Sequence, residues 1–316
     1  SFLDTFNFEY DFVSSTEQYK NGFFDNTIIE ILHNYEKILE IMLPTLRNER
    51  KNTYSPFLPI SEVTGTVLQV KIDEYRPEKN SIIYTEPTNN KKVEVQVTGG
   101  GCKLQWKVDW AMRWMALEVD YEMCGKDLTE SVALASKITK VVGKKAPVNL
   151  IYEMFLDEKG EKISKSVGNG IGVDEWLRYG SPESLSLYMY QKPKSAKKLF
   201  FDVIPKTVDE YISHYNNFDK LDHTKKFNSP IWHIHAGSPK EFKSEITFNS
   251  LTNLVSICNT DDKEVIWGFI NQYDKNISPN NNPEFDKLID YAINYYNDFV
   301  LPNKKYLDLN DKNKII

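Results

Sequence analysis

The chain has 316 residues, enough for two or three packed domains rather than a single core. Its 41% hydrophobic and 27% charged residues are ordinary for a globular protein, and no apolar run approaches the ~20 residues that a membrane-crossing helix requires. The net charge of −6 argues against indiscriminate nucleic-acid binding, although a local basic face between Lys137 and Lys198 is compatible with it.

Three cysteines (Cys102, Cys124 and Cys258) form no Cys-x-x-Cys pair and cannot supply a disulfide framework. They are expected to be reduced and buried, which points to the cytoplasm. The opening Ser1-Phe2-Leu3 reads as mid-element, with no secretory leader and an expected truncation upstream.

Residues 1–25 are expected to be the tail of a larger unit. Phe8–Val13 alternates like a strand, and Ser14-Ser15-Thr16-Glu17 reads as a turn or helix start. Residues 25–48 read as one helix with Ile28, Ile31, Leu32, Tyr35, Ile38, Leu39, Met42 and Leu43 on one face, ended or kinked by Pro44. Residues 52–98 hold proline-punctuated β-type runs at Thr66–Ile72, Ser81–Thr85 and Lys92–Thr98, and Gly99-Gly100-Gly101 closes them as a joint able to take positive φ.

From there the pattern alternates. Leu104–Trp110 reads as a strand, Ala111–Val119 as a helix, Tyr121–Gly125 as a strand, Leu128–Val142 as an amphipathic helix and Asn149–Leu156 as a strand. Asp127 is a candidate cap for the second helix, and Gly143 a candidate stop. Such an alternation predicts an α/β parallel sheet, half of a doubly wound nucleotide fold, with ligands at the carboxyl ends of its strands near Trp110, Gly125–Asp127 and Leu156. After residue 170 the pattern turns helical, with candidates at Asp174–Tyr179, Pro182–Gln191 and Pro205–Asn216 and a later block over 246–300.

The sharpest chemistry lies in Glu161-Lys162-Ile163-Ser164-Lys165-Ser166-Val167-Gly168-Asn169-Gly170. Lys162 and Lys165, with Ser164 and Ser166, sit in a glycine-containing loop after the last predicted strand, where ammonium groups and amides can neutralise charge on a leaving pyrophosphate. A solvated polar turn is the alternative for the string alone.

This loop resembles the KMSKS motif of class I aminoacyl-tRNA synthetases, with Ile163 where the motif has Met. Asp174–Tyr211 resembles class I lysyl-tRNA synthetases of the bacterial branch in Glu175-Trp176-Leu177-Arg178-Tyr179, Ser181-Pro182-Glu183-Ser184-Leu185, Gln191-Lys192-Pro193-Lys194 and Phe201-Asp202-Val203-Ile204-Pro205. Thr45-Leu46-Arg47, Tyr54–Ile60, Leu104–Trp110 and Trp232-His233-Ile234-His235 are similar to that family as well, so the resemblance runs over nearly the whole chain.

The resemblance implies the second half of a Rossmann-type synthetase fold with a β-rich connective insertion and an appended helical domain. It divides the chain into a remnant of the first Rossmann half (1–25), the connective insertion (26–98), the second half with the loop (99–172), and a stem-contact domain leading into an anticodon-binding one (173–316). It implies L-lysine, ATP with Mg2+, and tRNA(Lys) as partners of a cytoplasmic monomer that binds no membrane. Gly125 and Asp127 would hold the adenosine with Lys165, the latter also catalytic with Lys162, Ser164 and Ser166. An ε-ammonium pocket needs an acid, an aromatic face and apolar walls, which Asp109, Trp110 and Tyr152 would supply. Lys192, Lys194, Lys197 and Lys198 would meet tRNA phosphates, or else form a solvated face. His233 and His235 alternate like a strand pair without metal-ligand spacing, and no metal site is expected.

Class I synthetases also use a His-x-Gly-His motif, and none of His33, His214, His223, His233 or His235 lies in one. The chain alone is therefore expected to be inactive, its alternative being a non-catalytic tRNA-binding fragment or paralogue.

Overall fold

The computed structural model describes residues 2–164, 168–239 and 244–305. Packing divides the chain into two compact units, one of Tyr10–Glu153 and one of Ser1–Glu9 with Met154–Ile316. Helix α1 (Phe2–Thr5) belongs to the second of these.

The first unit opens with α2 (Ser15–Lys20), for which Ser14 is the N-cap: its Oγ accepts the Glu17 amide at 3.4 Å. The strand expected at Phe8–Val13 is not formed. No described strand lies against it, so its amides have no ladder to join, and Phe8, Tyr10 and Phe12 stand exposed. The single helix expected over 25–48 is two, α3 (Asp25–His33) and α4 (Tyr35–Met42). The break falls at Asn34, whose side-chain amide donates to the Glu30 carbonyl at 2.9 Å, a local bond that competes with helical continuity. The expected apolar face is nonetheless the buried one, through Ile28, Ile31, Leu32, Tyr35, Ile38 and Met42. Pro44 lies in the short turn after α4, before α5 (Asn48–Lys51).

Strand β1 (Phe57–Pro59) runs antiparallel to β5 (Cys102–Leu104), and between them β2 (Ile72–Arg76), β3 (Ser81–Thr85) and β4 (Lys92–Gln96) form an antiparallel meander. The run expected at Thr66–Ile72 makes only an isolated bridge at Val67 and the first residue of β2. At the glycine joint Gly99 and Gly100 take φ of +59° and +81°, and a Cβ on Gly101 would lie 2.2 Å from the Gln96 carbonyl oxygen. Only glycine fits there.

Residues Leu104–Trp110 are not a strand of a parallel sheet. The ladder ends at Leu104, and α6 (Trp106–Ala116) begins two residues later. Trp106, Trp110 and Trp114 recur at helical spacing, with ring centroids 5.0 and 5.2 Å apart, so their mutual packing favours the helix over the alternation read from sequence. The parallel unit is thus one β–α–β: β6 (Tyr121–Gly125), α7 (Thr129–Val141) and β7 (Val148–Tyr152), with Tyr121 opposite Val148 and Gly125 opposite Tyr152. Gly143, at φ +86°, ends the helical stretch as expected. One core joins α3, α4, α6 and α7 to the strands through Ile31, Ile38, Phe57, Ile82, Leu104, Ala111 and Ile138.

In the second unit β8 (Phe155–Leu156) is separated from β7 by Glu153 and Met154, so the strand expected at 149–156 is two. Next in order are α8 (Val173–Leu177), α9 (Pro182–Tyr190), β9 (Lys197–Lys198) parallel to β8, and α10 (Val203–Phe218). Short α11 (His223–Phe227) and α12 (Pro230–Ile234) lead to α13 (Phe248–Cys258), α14 (Lys263–Tyr273) and α15 (Pro283–Tyr295). Their core centres on Trp176, Ile204, Phe248, Leu251, Ile266, Phe285 and Ile289. No helix among the described residues is long and apolar enough to cross a membrane.

Two carboxylates of the first unit are buried, Glu86, which accepts the Ser61 hydroxyl at 2.8 Å, and Asp109. Asp109, 1% exposed, accepts the Tyr19 hydroxyl and pairs with the Arg113 guanidinium, each at 2.5 Å. Removing one partner of such a pair strands the others. Asp109→Ala is expected to lower the unfolding free energy by about 3 kcal/mol, and Lys107→Ala, whose partner Glu130 is largely exposed, by no more than about 1 kcal/mol; urea unfolding measures both.

Candidate functional site

The lysine-bearing loop leaves β8 through a tight turn. The Asp157 amide donates to the Glu161 carbonyl at 2.8 Å, Gly160 takes φ +87°, and the Ile163 amide returns to the Phe155 carbonyl at 3.2 Å. Lys162 is exposed and bridges to Leu156, and Ser164 is half-buried. Lys165 and Ser166 lie outside the described residues. On the return limb the Asn169 side chain accepts the Ser164 amide at 3.0 Å and donates to Asp157 at 2.8 Å. That bond, followed by the Glu161 amide, holds the Asp157 carboxyl below its ordinary range.

In the first unit, β6 ends at Gly125, beside the end of β7. A Cβ on Gly125 would stand 2.7 Å from Asp127 Oδ1 and 3.6 Å from the Tyr152 ring, so this corner is open because the side chain is a hydrogen. Asp127 is not a helix cap, contrary to one of its two sequence readings. It lies in a 3₁₀ turn (Lys126–Leu128), and the residue before α7 is Leu128, which makes no side-chain cap. Its exposed carboxylate has no hydrogen-bond or ion-pair partner among the described residues. Lys126 pairs with Glu153 at 2.7 Å across the same strand ends. A glycine gap, an aromatic edge and an uncommitted carboxylate suit a nucleoside sugar.

Asp109 and Trp110 do not join this corner as strand-end residues. Both lie inside α6; the Asp109 carboxylate is committed to Tyr19 and Arg113, and burial together with that carboxylate pushes the Tyr19 phenol well above its ordinary range. Trp110 is 7% exposed and donates its indole N–H to Glu122 at 3.2 Å, a carboxylate that also takes the Trp114 indole at 2.8 Å. The helix explains the error: alternation would have sent one of the pair outward, whereas a helix turns both into the core. Tyr152 alone of the three stays at a strand end.

The family model for tRNA synthetases class I (K) matches residues 1–238. The chain belongs to that family. Proteins named Lysine--tRNA ligase are similar over the whole chain, at 54% identity in Rickettsia bellii strain RML369-C and 52% in Rickettsia rickettsii strain Sheila Smith, and the chain spans 61% of the length of each. A glutamate tRNA ligase from Elizabethkingia meningosepticum, solved with its amino acid, is 12% identical over 63% of this chain and 58% of its own, with a TM-score of 0.28, a likeness too slight to bear on the fold.

For a family whose members handle tRNA, the four lysines after α9 divide in two. Lys192, at φ +46°, and Lys194 are exposed. Lys197, half-buried, and Lys198, itself exposed, instead donate to backbone carbonyls. The Lys197 ammonium donates to the Tyr188 and Met189 carbonyls at 2.5 and 3.3 Å over the Tyr188 ring, closing the end of α9, and burial lowers its pKa. Lys198 donates to the Glu158 carbonyl at 2.9 Å. The histidines are not a strand pair: His233 lies in α12 against Tyr190 and Phe227, and the His235 ring meets the Tyr211 hydroxyl at 2.9 Å. No group of three or more His, Cys, Asp or Glu able to hold a metal ion is found among the described residues.

Sequence reasoning misses Asn169, Asp157 and Glu122. An Asn flanked by Gly168 and Gly170 directly after the motif is the available signal for the first; the others act over distances no spacing discloses. Lys197→Ala is expected to cost about 1–3 kcal/mol in urea unfolding by uncapping α9, whereas Lys192→Ala stays within about 0.5 kcal/mol.

Proposed function

We propose that this chain carries much of the catalytic body of a lysine–tRNA ligase. The observation that supports it is 52–54% identity along the full chain to proteins of that name. In the proposed reaction the carboxylate of L-lysine attacks the α-phosphate of ATP, the bond to the β-phosphate breaks, and lysyl-adenylate forms as pyrophosphate leaves. The terminal hydroxyl of tRNA(Lys) then displaces AMP. Such chemistry depends on positioned positive charge more than on proton transfer.

Gly125 and Asp127 would take the adenosine, Gly125 by letting the nucleoside approach and Asp127 by accepting from sugar hydroxyls. Lys162 and Lys165, with Ser164 and Ser166, would take charge building on the pyrophosphate. Tyr152 would face the lysine; Asp109 and Trp110 drop out, their polar groups being engaged elsewhere. Magnesium would accompany the ATP, and no residue of this chain is assigned to it. Lys192 and Lys194 would meet tRNA phosphates. The four-part division at 25/26, 98/99 and 172/173, a monomeric state and a cytoplasmic setting belong to the same proposal.

The test uses a chimera in which the part of the Rickettsia bellii ligase that this chain does not match is joined to the 316 residues. The chimera is expected to catalyse lysine-dependent pyrophosphate exchange and the 316 residues alone are not, since they contain no His-x-Gly-His motif. Lys165→Ala in the chimera should lower kcat on the order of 10²–10³ with the KM for lysine little changed. An inactive chimera that still binds tRNA(Lys) would favour the non-catalytic reading. Changing Lys192 and Lys194 together to Ala should reduce the salt slope of tRNA(Lys) binding by up to about 2, and an unchanged slope would remove both from the interface.

A further inference from the structure

One side chain, that of Asn169, ties the two limbs of the lysine-bearing loop to each other. Asn169 Oδ1 accepts the Ser164 amide at 3.0 Å, while its Nδ2 donates to Asp157 Oδ2 at 2.8 Å and to the Lys162 carbonyl at 3.4 Å. The other Asp157 oxygen accepts the Glu161 amide at 2.8 Å. The Gly168 amide closes onto the Ser164 carbonyl at 3.0 Å with φ +67°, and a Cβ on Gly170 would come within 2.5 Å of Ile163 Cγ2, so the return limb lies directly on the outgoing one.

We propose that Asn169 is a positioning residue for the loop, with Asp157 as its anchor. This rests on the reading of the loop as a pyrophosphate-binding element. Only a primary amide meets these demands, because one end must accept from an N–H while the other donates to a carboxylate and a carbonyl. The anchor matters because a carboxylate fixes which way the amide faces. The Ser164 and Gly168 backbones are thereby held together, so the loop rises from a preset base. Pre-set geometry of this kind is worth much to a transferring group, for which a misplacement of about 1 Å can cost ~10²-fold in rate.

Asn169→Asp sets two carboxylates against each other and removes both donors. The reciprocal exchange, Asp157→Asn with Asn169→Asp, restores the contact with its polarity reversed. The amide now at position 157 donates to the carboxylate now at position 169. Position 157 still accepts from the Glu161 amide, position 169 still accepts from the Ser164 amide, and only the long bond to the Lys162 carbonyl is lost.

The experiment measures hydrogen exchange at the Ser164 amide in the 316-residue chain, with the Ile212 amide of α10 as a control for folding. Asn169→Asp is expected to speed exchange at Ser164 at least about tenfold and the reciprocal pair to return it to within about threefold of the parent. In the chimera, Asn169→Asp should lower kcat for pyrophosphate exchange by ~10²-fold with the lysine KM within about twofold, and the reciprocal pair should recover most of it. Unchanged Ser164 exchange in Asn169→Asp, or a reciprocal pair no better than the single variant, overturns the clamp. An active chimera indifferent to Asn169→Asp overturns the positioning role alone. A parent chimera without pyrophosphate exchange overturns the reading of the reaction and the positioning role with it, leaving the clamp to stand or fall by hydrogen exchange.

Discussion

A carboxylate almost wholly withdrawn from water must be met by charge and hydrogen bonds, and Asp109 is met from two directions. Arg113 lies one turn along the same helix; Tyr19 comes from α2, and its hydroxyl also accepts the Leu104 amide at 3.2 Å, at the end of β5. Three elements separated by up to 90 residues are thereby fastened at one point. The constraint is passed along α6: with that helix set, Trp110 and Trp114 reach Glu122, near the start of β6, and β6 delivers Gly125 at its other end. The residue that sequence reasoning places in a substrate pocket thus helps to set the position of the Gly125 corner through the scaffold.

The parts legible in the sequence are those whose cause is local. Ser81–Thr85 and Tyr121–Gly125 carry strand-forming residues between clear turns and are strands with those bounds. The turn that leads into the motif is legible for the same reason, because Asp157, Gly160 and Glu161 are close neighbours. The failures share a cause at longer range. Trp106–Trp110 alternates with polar residues as a strand would, and only the stack with Trp114 decides for a helix. At Phe8–Val13 the pattern is strand-like, but a strand exists only where a partner lies beside it. Asp157 and Asn169 are twelve residues apart and meet because the intervening chain doubles back, which neither residue announces.

Lysines illustrate how poorly charge alone predicts a binding surface. Four of them within seven residues read as one basic patch, yet Lys197 and Lys198 turn their ammonium groups onto backbone carbonyls. Lys304 does likewise, donating to the Ser256 carbonyl and lying over the Tyr296 ring, and Lys263 spans Asp286 and Asp290 on α15. Each lysine engaged in this way leaves less positive surface for a polyanion than the composition of a chain of net charge −6 suggests.

The tryptophan ladder along α6 has an optical consequence. Half of the six tryptophans of the chain stand in one stack, at 5.0 and 5.2 Å, with planes inclined by 22° and 49°. Chromophores so close and so oriented share their excited states, and skewed neighbours split a shared transition into two bands of opposite rotational sense. The first unit therefore carries its own ultraviolet signature of assembly, a couplet in circular dichroism that exists only while the three indoles keep their relative tilt and that vanishes when α6 unwinds.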